Sequence, residues 1–274
     1  MKDLFEGKTC IITGASTGIG YGLSKRLLER GAIVWGCSRT PENVEKVRKE
    51  FKHYGDRAQF DVIDVRNDEQ ITNYIIGIAK KGPVDYLFNN AGVGFKGKFT
   101  ETTMKMWDAV MSVNLYGVVY GTNAAVPIML KQGYGHIINV ASVCGIVPLP
   151  YQSIYDASKY AVVGFSESLR YELEEKNIRV SVVCPGPVDT MIFRRSVDYS
   201  IIDSEHLKSP PEAISPEKAA DEIMEGIEAN MGILPITDFA REAYENISKN
   251  PSTNDKMMRI LRKEVEDDFA KQGV

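Results

Sequence analysis

A doubly wound α/β fold on a parallel sheet, in a single domain, is predicted from three features of this sequence. Short β-rich runs alternate with amphipathic helical stretches from the start to near the finish. That alternation is the signature of strands joined by crossover helices. The β-rich runs lack inside/outside alternation, as strands covered on both faces do. A glycine-rich segment joins the first of these runs to the first helical stretch.

In chain order, strands are expected at Thr9–Ile12, Ile33–Trp35, Gln59–Ile63, Tyr86–Phe88, His136–Val140 and Arg179–Cys184. Their crossovers should be right-handed. Tyr21–Arg30 carries Leu23, Leu27 and Leu28 on one side and Lys25, Arg26, Glu29 and Arg30 on the other, and Gly31 stops it. Pro41 opens the next helix at a favoured first position. After Cys184 the character changes: Pro185, Gly186 and Pro187 break the strand, and an irregular segment runs to about Pro211. Ser215 reads as an N-cap with Pro216 as the first helical residue. The tail from Asp238 is helical again, broken near Asn250-Pro251, with Met257, Leu261, Val265 and Phe269 forming one apolar stripe expected to lie on its own domain. The domain reading is therefore 1–236 for the catalytic unit, with a substrate loop at about 190–214, and 237–274 for a helical tail.

The composition bounds the function. With 274 residues, 43% hydrophobic and 26% charged, the chain is long enough for a sizeable core. A formal net charge of −4 gives no single-sign field, so nucleic acid and anionic membrane are not expected partners. Consecutive apolar runs such as Ile137–Ile138 are far below the ~18 residues of a membrane span, and the N-terminal residues form no apolar leader. Cys10, Cys37, Cys144 and Cys184 are widely spaced, which fits reduced thiols and a cytoplasmic location. His53, His136 and His206 adjoin no cysteine, so no metal site is expected.

Three motifs carry chemistry. Thr13-Gly14-Ala15-Ser16-Thr17-Gly18-Ile19-Gly20 follows an expected strand and opens an expected helix. Glycines there allow a tight turn and close approach of a pyrophosphate, which the helix N-terminus then meets with free N–H groups. This makes the doubly wound sheet a Rossmann-type one. At the end of the second strand stand Ser38, Arg39 and Thr40, with no acid anywhere from Gly31 to Pro41. An acid there would hold a ribose 2′-OH, whereas Arg offers a fork to a 2′-phosphate, so NADP(H) is favoured over NAD. Tyr155 and Lys159 stand four apart and share a helix face. An ammonium beside a phenol stabilises phenolate and lowers its pKa from about 10. Tyr21 and Lys25 repeat the spacing; only Tyr155 has a strand-end serine, Ser142, placed 13 residues earlier. The Tyr21 copy reads as helix packing and surface charge.

On these residues the chain resembles the short-chain dehydrogenase/reductase family, of the NADP-preferring type. The resemblance runs from Thr13 to about Thr190 through the glycine loop, Asp64-Val65, Asn89-Asn90-Ala91-Gly92, Asn114, Ser142, Tyr155, Lys159 and Pro185-Gly186-Pro187-Val188-Asp189-Thr190. It implies that Tyr155 is the acid/base, that Lys159 tunes it and binds the nicotinamide ribose, that Ser142 hydrogen-bonds the substrate oxygen, and that Asn114 holds a water linking Lys159 to solvent. It implies cofactor contacts from Gly14, Ser16, Thr17, Gly18, Ile19, Gly20, Ser38, Arg39, Thr40, Asp64, Val65, Asn90, Ala91, Gly92, Pro185, Gly186, Val188 and Thr190. Asp64 and Val65 would meet the adenine, Asn90 to Gly92 the adenosine ribose, and Val188 and Thr190 the carboxamide.

Asp156 departs from the family pattern, which usually has a small residue after the tyrosine. An acid in the first turn suits the helix dipole, but one near Lys159 would perturb it. The charged tail replaces a short glycine-rich end used for tetramers, so a homodimer through the helices after Thr103 and after Ser153 is expected ahead of a homotetramer. The resemblance places Cys144, Leu149, Gln152 and Phe193 at the substrate, with Val143, Val147, Tyr151, Val93, Phe95, Met191 and Ile201 nearby. The set is mostly apolar. The expected activity is hydride transfer between NADP(H) and a neutral, bulky apolar alcohol or ketone, steroid-like or similar. The competing readings are an NADPH-binding sensor without turnover, which has no need of Ser142, Tyr155, Lys159 and Asn114 together, and an epimerase or methyltransferase on the same nucleotide fold. Epimerase relatives tend to use Gly-x-x-Gly-x-x-Gly, which this loop lacks.

Overall fold

The structure, a computed structural model, describes residues 3–194, 209–249 and 258–267. Seven parallel strands among these residues form one sheet, ordered β3-β2-β1-β4-β5-β6-β7. They are β1 (Thr9–Thr13), β2 (Ile33–Ser38), β3 (Ala58–Val62), β4 (Tyr86–Asn89), β5 (Gly135–Val140), β6 (Ile178–Pro185) and β7 (Ile233–Ile236). The helices are α1 (Gly18–Glu29), α2 (Pro41–Glu50), α3 (Asp68–Ala79), α4 (Met104–Met111), α5 (Gly117–Gln132), α6 (Ser153–Leu173), α7 (Pro216–Glu228), α8 (Asp238–Lys249) and α9 (258–267).

Both sheet faces are covered, which explains the unbroken apolar strands. Cys10 and Ile12 of β1 pack under Leu23 and Leu27 of α1 and Ala219 and Ile223 of α7. Ile11, pointing the other way, packs with Ile71 and Ile75 of α3 and Ala125 of α5. Burying each such Leu or Ile contributes roughly 1.5–3 kcal/mol.

Three expectations shift. The first helix starts at Gly18, one turn earlier than its apolar pattern shows, because Thr17 is the extended cap residue. β7 was not expected: it is four residues long and contains Pro235. Among the described residues it pairs only with β6, and it alternates buried Leu234 and Ile236 with half-buried neighbours. A short edge strand tolerates a proline that a central one does not. The continuous helical run Met104–Gln132, 29 residues through a π-turn at Ser112–Tyr116, is long and apolar enough to cross a bilayer by length and composition alone, contrary to the sequence reading. Half of its most apolar window is buried inside the domain, as in a core helix.

The strand order reverses between β1 and β4: β2 and β3 extend one way, β5 to β7 the other. Ligands bind at the carboxyl ends of strands at such a switch point.

Candidate active site

The glycine segment lies at that switch point. Gly14 and Gly18 have φ of +67° and +55°, a region that favours glycine. A Cβ on Gly20 would fall 2.3 Å from the Gly14 carbonyl oxygen and 2.5 Å from Asn90 Nδ2, and one on Gly18 would fall 2.9 Å from Thr190 Cγ2. These glycines therefore keep a crevice open where α1 begins. Thr17 makes no side-chain cap bond, so the α1 N-terminus keeps its donors and positive dipole end for an anion. The residues present thus fit the pyrophosphate of a dinucleotide.

The flanking positions fit as well. The Ser16 N–H donates to Ser38 Oγ at 3.1 Å, which puts the end of β2, with exposed Arg39 and half-buried Thr40, beside the glycine loop. Asp64 is held by Arg66, whose Nε donates to Oδ1 at 3.0 Å and Oδ2 at 2.9 Å. The Arg66 bond holds the Asp64 carboxyl below its ordinary range, and Arg39 adds to it. A 2′-phosphate beside Arg39 therefore meets a neutralised acid.

Some expected contacts are turned elsewhere. The Asn90 amide donates to the Thr13 carbonyl at 2.8 Å, and Thr13 Oγ1 accepts the backbone N–H groups of Asn90 and Ala91 at 2.9 and 3.0 Å. That side chain ties β4 to the glycine loop, which leaves Ala91 and Gly92 as the surface toward a ribose. Val65 is buried against Gly117, so Asp64 is the more accessible of that pair. Beyond β6, Gly186 donates to the Ile236 carbonyl and Val188 bridges to Ile214, which fixes the turn from Pro185 that delivers Thr190 opposite Gly18.

The chemical groups converge next to this crevice. β5 runs out at Val140, placing Ser142 just past its carboxyl end, and the first turns of α6 bring Tyr155 and Lys159 to the same point. Tyr155 is 7% exposed and Lys159 3%. Lys159 Nζ donates to the Val140 carbonyl at 3.0 Å and lies 5.6 Å from the Tyr155 ring centre. A Cβ on Gly92 would stand 3.6 Å from that ammonium, so the glycine leaves the lysine open toward the nucleotide crevice. Ser142 Oγ accepts the Cys144 N–H at 3.2 Å, leaving its own hydrogen for another acceptor.

The electrostatics correct two expectations. Burial pushes the Tyr155 phenol above its ordinary value, and Cys144 and Asp156 add to this against an opposing hydrogen bond with Ser142. Burial lowers the Lys159 ammonium to about 8. The predicted acidification of Tyr155 by Lys159 is not what this arrangement produces. Both groups are desolvated, and the ammonium is directed at the Val140 carbonyl. The predicted disturbance of Lys159 by Asp156 is also absent from the causes of its shift, because Asp156 turns to the Leu149 backbone.

Asn114 lies inside the π-turn, fully buried, and its amide bonds within the protein. Oδ1 accepts the Val93 N–H at 2.8 Å, and Nδ2 donates to the Val93 carbonyl and to Ser158 Oγ, both at 3.0 Å. Ser158 in turn donates to the Tyr155 carbonyl at 2.6 Å. The amide therefore locks the segment after β4 to α6, and Oδ1 keeps a second lone pair on the side of Gly92 that Lys159 Nζ also borders.

The expected substrate wall assembles in part. Cys144, Val143 and Val147 pack with Tyr155, and Phe95, Leu149 and Ile192 pack against them. Gln152 Oε1 lies 3.9 Å from Cys144 Sγ. The side chain of Phe193, the whole of Ile201, and Met257 and Phe269 of the tail stripe lie outside the described residues. Sequence reasoning missed the tail's share of this wall: Ala240, Ala243, Phe239 and Ile247 of α8 and Met258 of α9 join the same cluster. A surface hollow of about 310 Å³ lined by Pro150, Met258, Arg259 and Arg262 adjoins it. It also missed the buried chain Asn89–Asn139–Ser166 beneath the site, for which polar residues inside apolar strands were the available signal. Tyr21, the second copy of the motif, donates to Glu50, and Lys25 pairs with Glu217, as packing and surface charge predict.

Comparison with known proteins agrees with this geometry. A family model described as short chain dehydrogenase matches residues 8–199. The 3-oxoacyl-[acyl-carrier-protein] reductase FabG of Thermotoga maritima is 38% identical over 186 residues, 68% of this chain and 76% of that protein. A short-chain dehydrogenase/reductase from Burkholderia phymatum in complex with NAD superposes with a TM-score of 0.80 at 27% identity, covering 90% of this chain and 96% of that one. A short chain dehydrogenase from Burkholderia cenocepacia in complex with NADP gives a TM-score of 0.79 at 28% identity, covering 93% and 98%.

Proposed function

The chain belongs to the short-chain dehydrogenase/reductase family of nicotinamide-dependent oxidoreductases, and on that premise we propose that it interconverts a neutral, bulky apolar ketone and its alcohol with NADP(H). The carrying observation is the convergence of Ser142, Tyr155 and Lys159 between a glycine crevice and an apolar wall. When bound, the cofactor supplies or accepts the hydride. In the reductive direction the Tyr155 phenol would give its proton to the carbonyl oxygen as the carbonyl carbon is reduced. The Ser142 hydroxyl donates to the same oxygen and stabilises the charge developing on it. Lys159 offers its ammonium to the nicotinamide ribose across Gly92, and Asn114 keeps the segment after β4 in register with α6. A site with all of these groups in place supports turnover over a sensor that only binds NADPH.

NADP(H) rests on Arg39 and on the neutralised Asp64. The substrate class rests on Val143, Val147, Phe95, Leu149 and Met258. A homodimer is supported by exposed Met104, Tyr116, Tyr160 and Tyr171 on α4, on the π-turn before α5, and on α6. The test is a screen at the reduced-nicotinamide absorbance band, with both cofactors against ketones and alcohols, including amphiphiles and small acids, and with Tyr155→Phe as control. Turnover of apolar ketones lost in Tyr155→Phe, with NADPH binding kept, is the expected result. Turnover of small acids alone overturns the substrate class, and full activity in Tyr155→Phe overturns the assigned acid/base.

A further inference from the structure

Asp156 follows Tyr155 in the first turn of α6, and only 6% of it is exposed. Its Oδ2 accepts the Leu149 backbone N–H at 2.7 Å. The Cys144 thiol, whose hydrogen is directed at Gln152 Oε1 at 3.9 Å, is close enough for the two groups to shift one another's titration. Its Oδ1 is buried without a hydrogen-bond partner. Leu149 and Cys144 both belong to the stretch between β5 and α6 that walls the substrate side of Tyr155. This acid thus touches the catalytic helix and the wall at once.

We propose that Asp156 is a positioning residue for the reaction: its buried carboxylate clamps the Leu149 end of the substrate wall onto α6 and sets a negative charge beside Tyr155 that holds the phenol in its proton-donating form. This rests on the reading of Tyr155 as the acid/base. Two roles follow, and they are separable. The clamp needs only an acceptor for the Leu149 N–H, whereas the bias on Tyr155 needs the charge, since a like charge disfavours phenolate. The ionisable groups facing Asp156 are Tyr155 and Tyr160 of the same helix and the Cys144 thiol from the turn after β5. Lys159, three residues on, is turned to Val140. Folding does not account for an acid here. Burial raises the Asp156 carboxyl to about 7, so its ionised form works against the folded state. The helix N-terminus offsets only part of that cost.

The experiment compares the full chain with Asp156→Asn, which keeps an acceptor and removes the charge, and Asp156→Ala, which removes both. With a ketone/alcohol pair from the screen, alcohol oxidation and ketone reduction are followed from about pH 5 to about pH 10. In Asp156→Asn the limb belonging to Tyr155 should move down by about 0.5 pH unit or more while KM for the substrate stays within about twofold. In Asp156→Ala the same shift should be joined by a rise in substrate KM of roughly fivefold or more, with NADPH affinity unchanged. Superimposable profiles of wild type and Asp156→Asn overturn the charge role, and an unchanged KM in Asp156→Ala overturns the clamp. If no compound turns over, the reading of the site fails rather than this one. The charge is then read directly from the infrared carboxylic-acid band, which should titrate near neutrality in the wild type and be missing from Asp156→Asn. A band shared by both proteins overturns the proposal.

Discussion

His136 and Asp156 pull the acid stability of this protein in opposite directions, and removing either should expose the other. His136 is buried in β5. Ser181 gives its hydroxyl hydrogen to the Met231 carbonyl at 2.6 Å, so His136 Nε2, 2.9 Å from Ser181 Oγ, is the nitrogen that carries the proton. Nδ1 is buried with no partner, and burial, with Arg179 and Arg170 nearby, lowers the imidazole to about 3 from 6.5. The unfolded chain binds a proton below its own value that the folded chain refuses, so stability falls as pH drops through 6.5. Asp156 behaves inversely. Its folded carboxyl is raised to about 7 from 3.8, so the folded chain takes up a proton first and stability rises as pH drops. Each slope is at most about 1.4 kcal/mol per pH unit, and between about pH 5 and about pH 6.5 they oppose one another. Asp3 and Asp64, held below the ordinary carboxylate range, titrate lower and leave this window alone. Urea unfolding across the window should show a nearly level wild-type profile. His136→Gln should gain about 2 kcal/mol on going from the top of the window to the bottom, and Asp156→Asn should lose a similar amount. A His136→Gln profile that follows the wild type would refute the assignment of a neutral, proton-refusing imidazole.

Arg39→Asp should shift the ratio of NADP to NAD specificity by more than tenfold toward NAD, roughly 1.4 kcal/mol, measured as kcat/KM with each cofactor; an unchanged ratio counts against the 2′-phosphate contact. Gly20→Ala puts a methyl 2.3 Å from the Gly14 carbonyl, so the loop must move. NADPH affinity by fluorescence titration should drop by more than about tenfold and urea stability by roughly 1–3 kcal/mol, and retention of both would show that the loop has room to spare. Asn114→Ala leaves Ser158 Oγ and both backbone groups of Val93 without that amide. Unfolding free energy should fall by about 2–4 kcal/mol and kcat more than KM, and an effect on KM alone would place Asn114 in substrate binding instead.

Much of the site was legible because its residues are chosen by backbone geometry or by chemistry that few side chains supply. Gly14, Gly18 and Gly20 are read from sequence because a side chain there would collide, and Ser142 and Tyr155 because strand end and helix start are set by local pattern. β7 was not legible: four residues with an internal proline resemble a loop until the exposed edge of β6 is known to need covering. The tail was half legible. Its apolar stripe announced a buried face, but a periodicity does not say what the face meets, so the place of α8 and Met258 in the substrate wall emerged only from the packed chain. Asn90 and Asn114 illustrate a third limit. Their positions follow the family pattern, yet an amide has several donor and acceptor directions, and only tertiary structure shows that both tie neighbouring segments together.

The largest departure concerns charge. An ammonium four residues from a phenol is expected to favour phenolate. Here Tyr155 and Lys159 are both buried, and desolvation drives each toward its neutral form, the phenol up and the ammonium to about 8. Burial depth is set by what packs over the helix, namely Val143, Val147 and Ala240, which no spacing between two residues encodes. The consequence is directional. A phenol that keeps its proton through neutral pH is ready to give one to a carbonyl oxygen and unready to take one from an alcohol. Lys159, with the Val140 carbonyl accepting from its ammonium, still has donors to offer across Gly92, and hydrogen-bond acceptors arriving there would favour its charged form. Lowered to about 8, the ammonium is already charged at neutral pH, and such acceptors would keep it charged at higher pH, where it would lower the cost of phenolate. On the proposed role of Tyr155, oxidation would therefore be favoured by raised pH and by acceptors seated at Lys159, whereas reduction would start from the protonated phenol that the fold already holds.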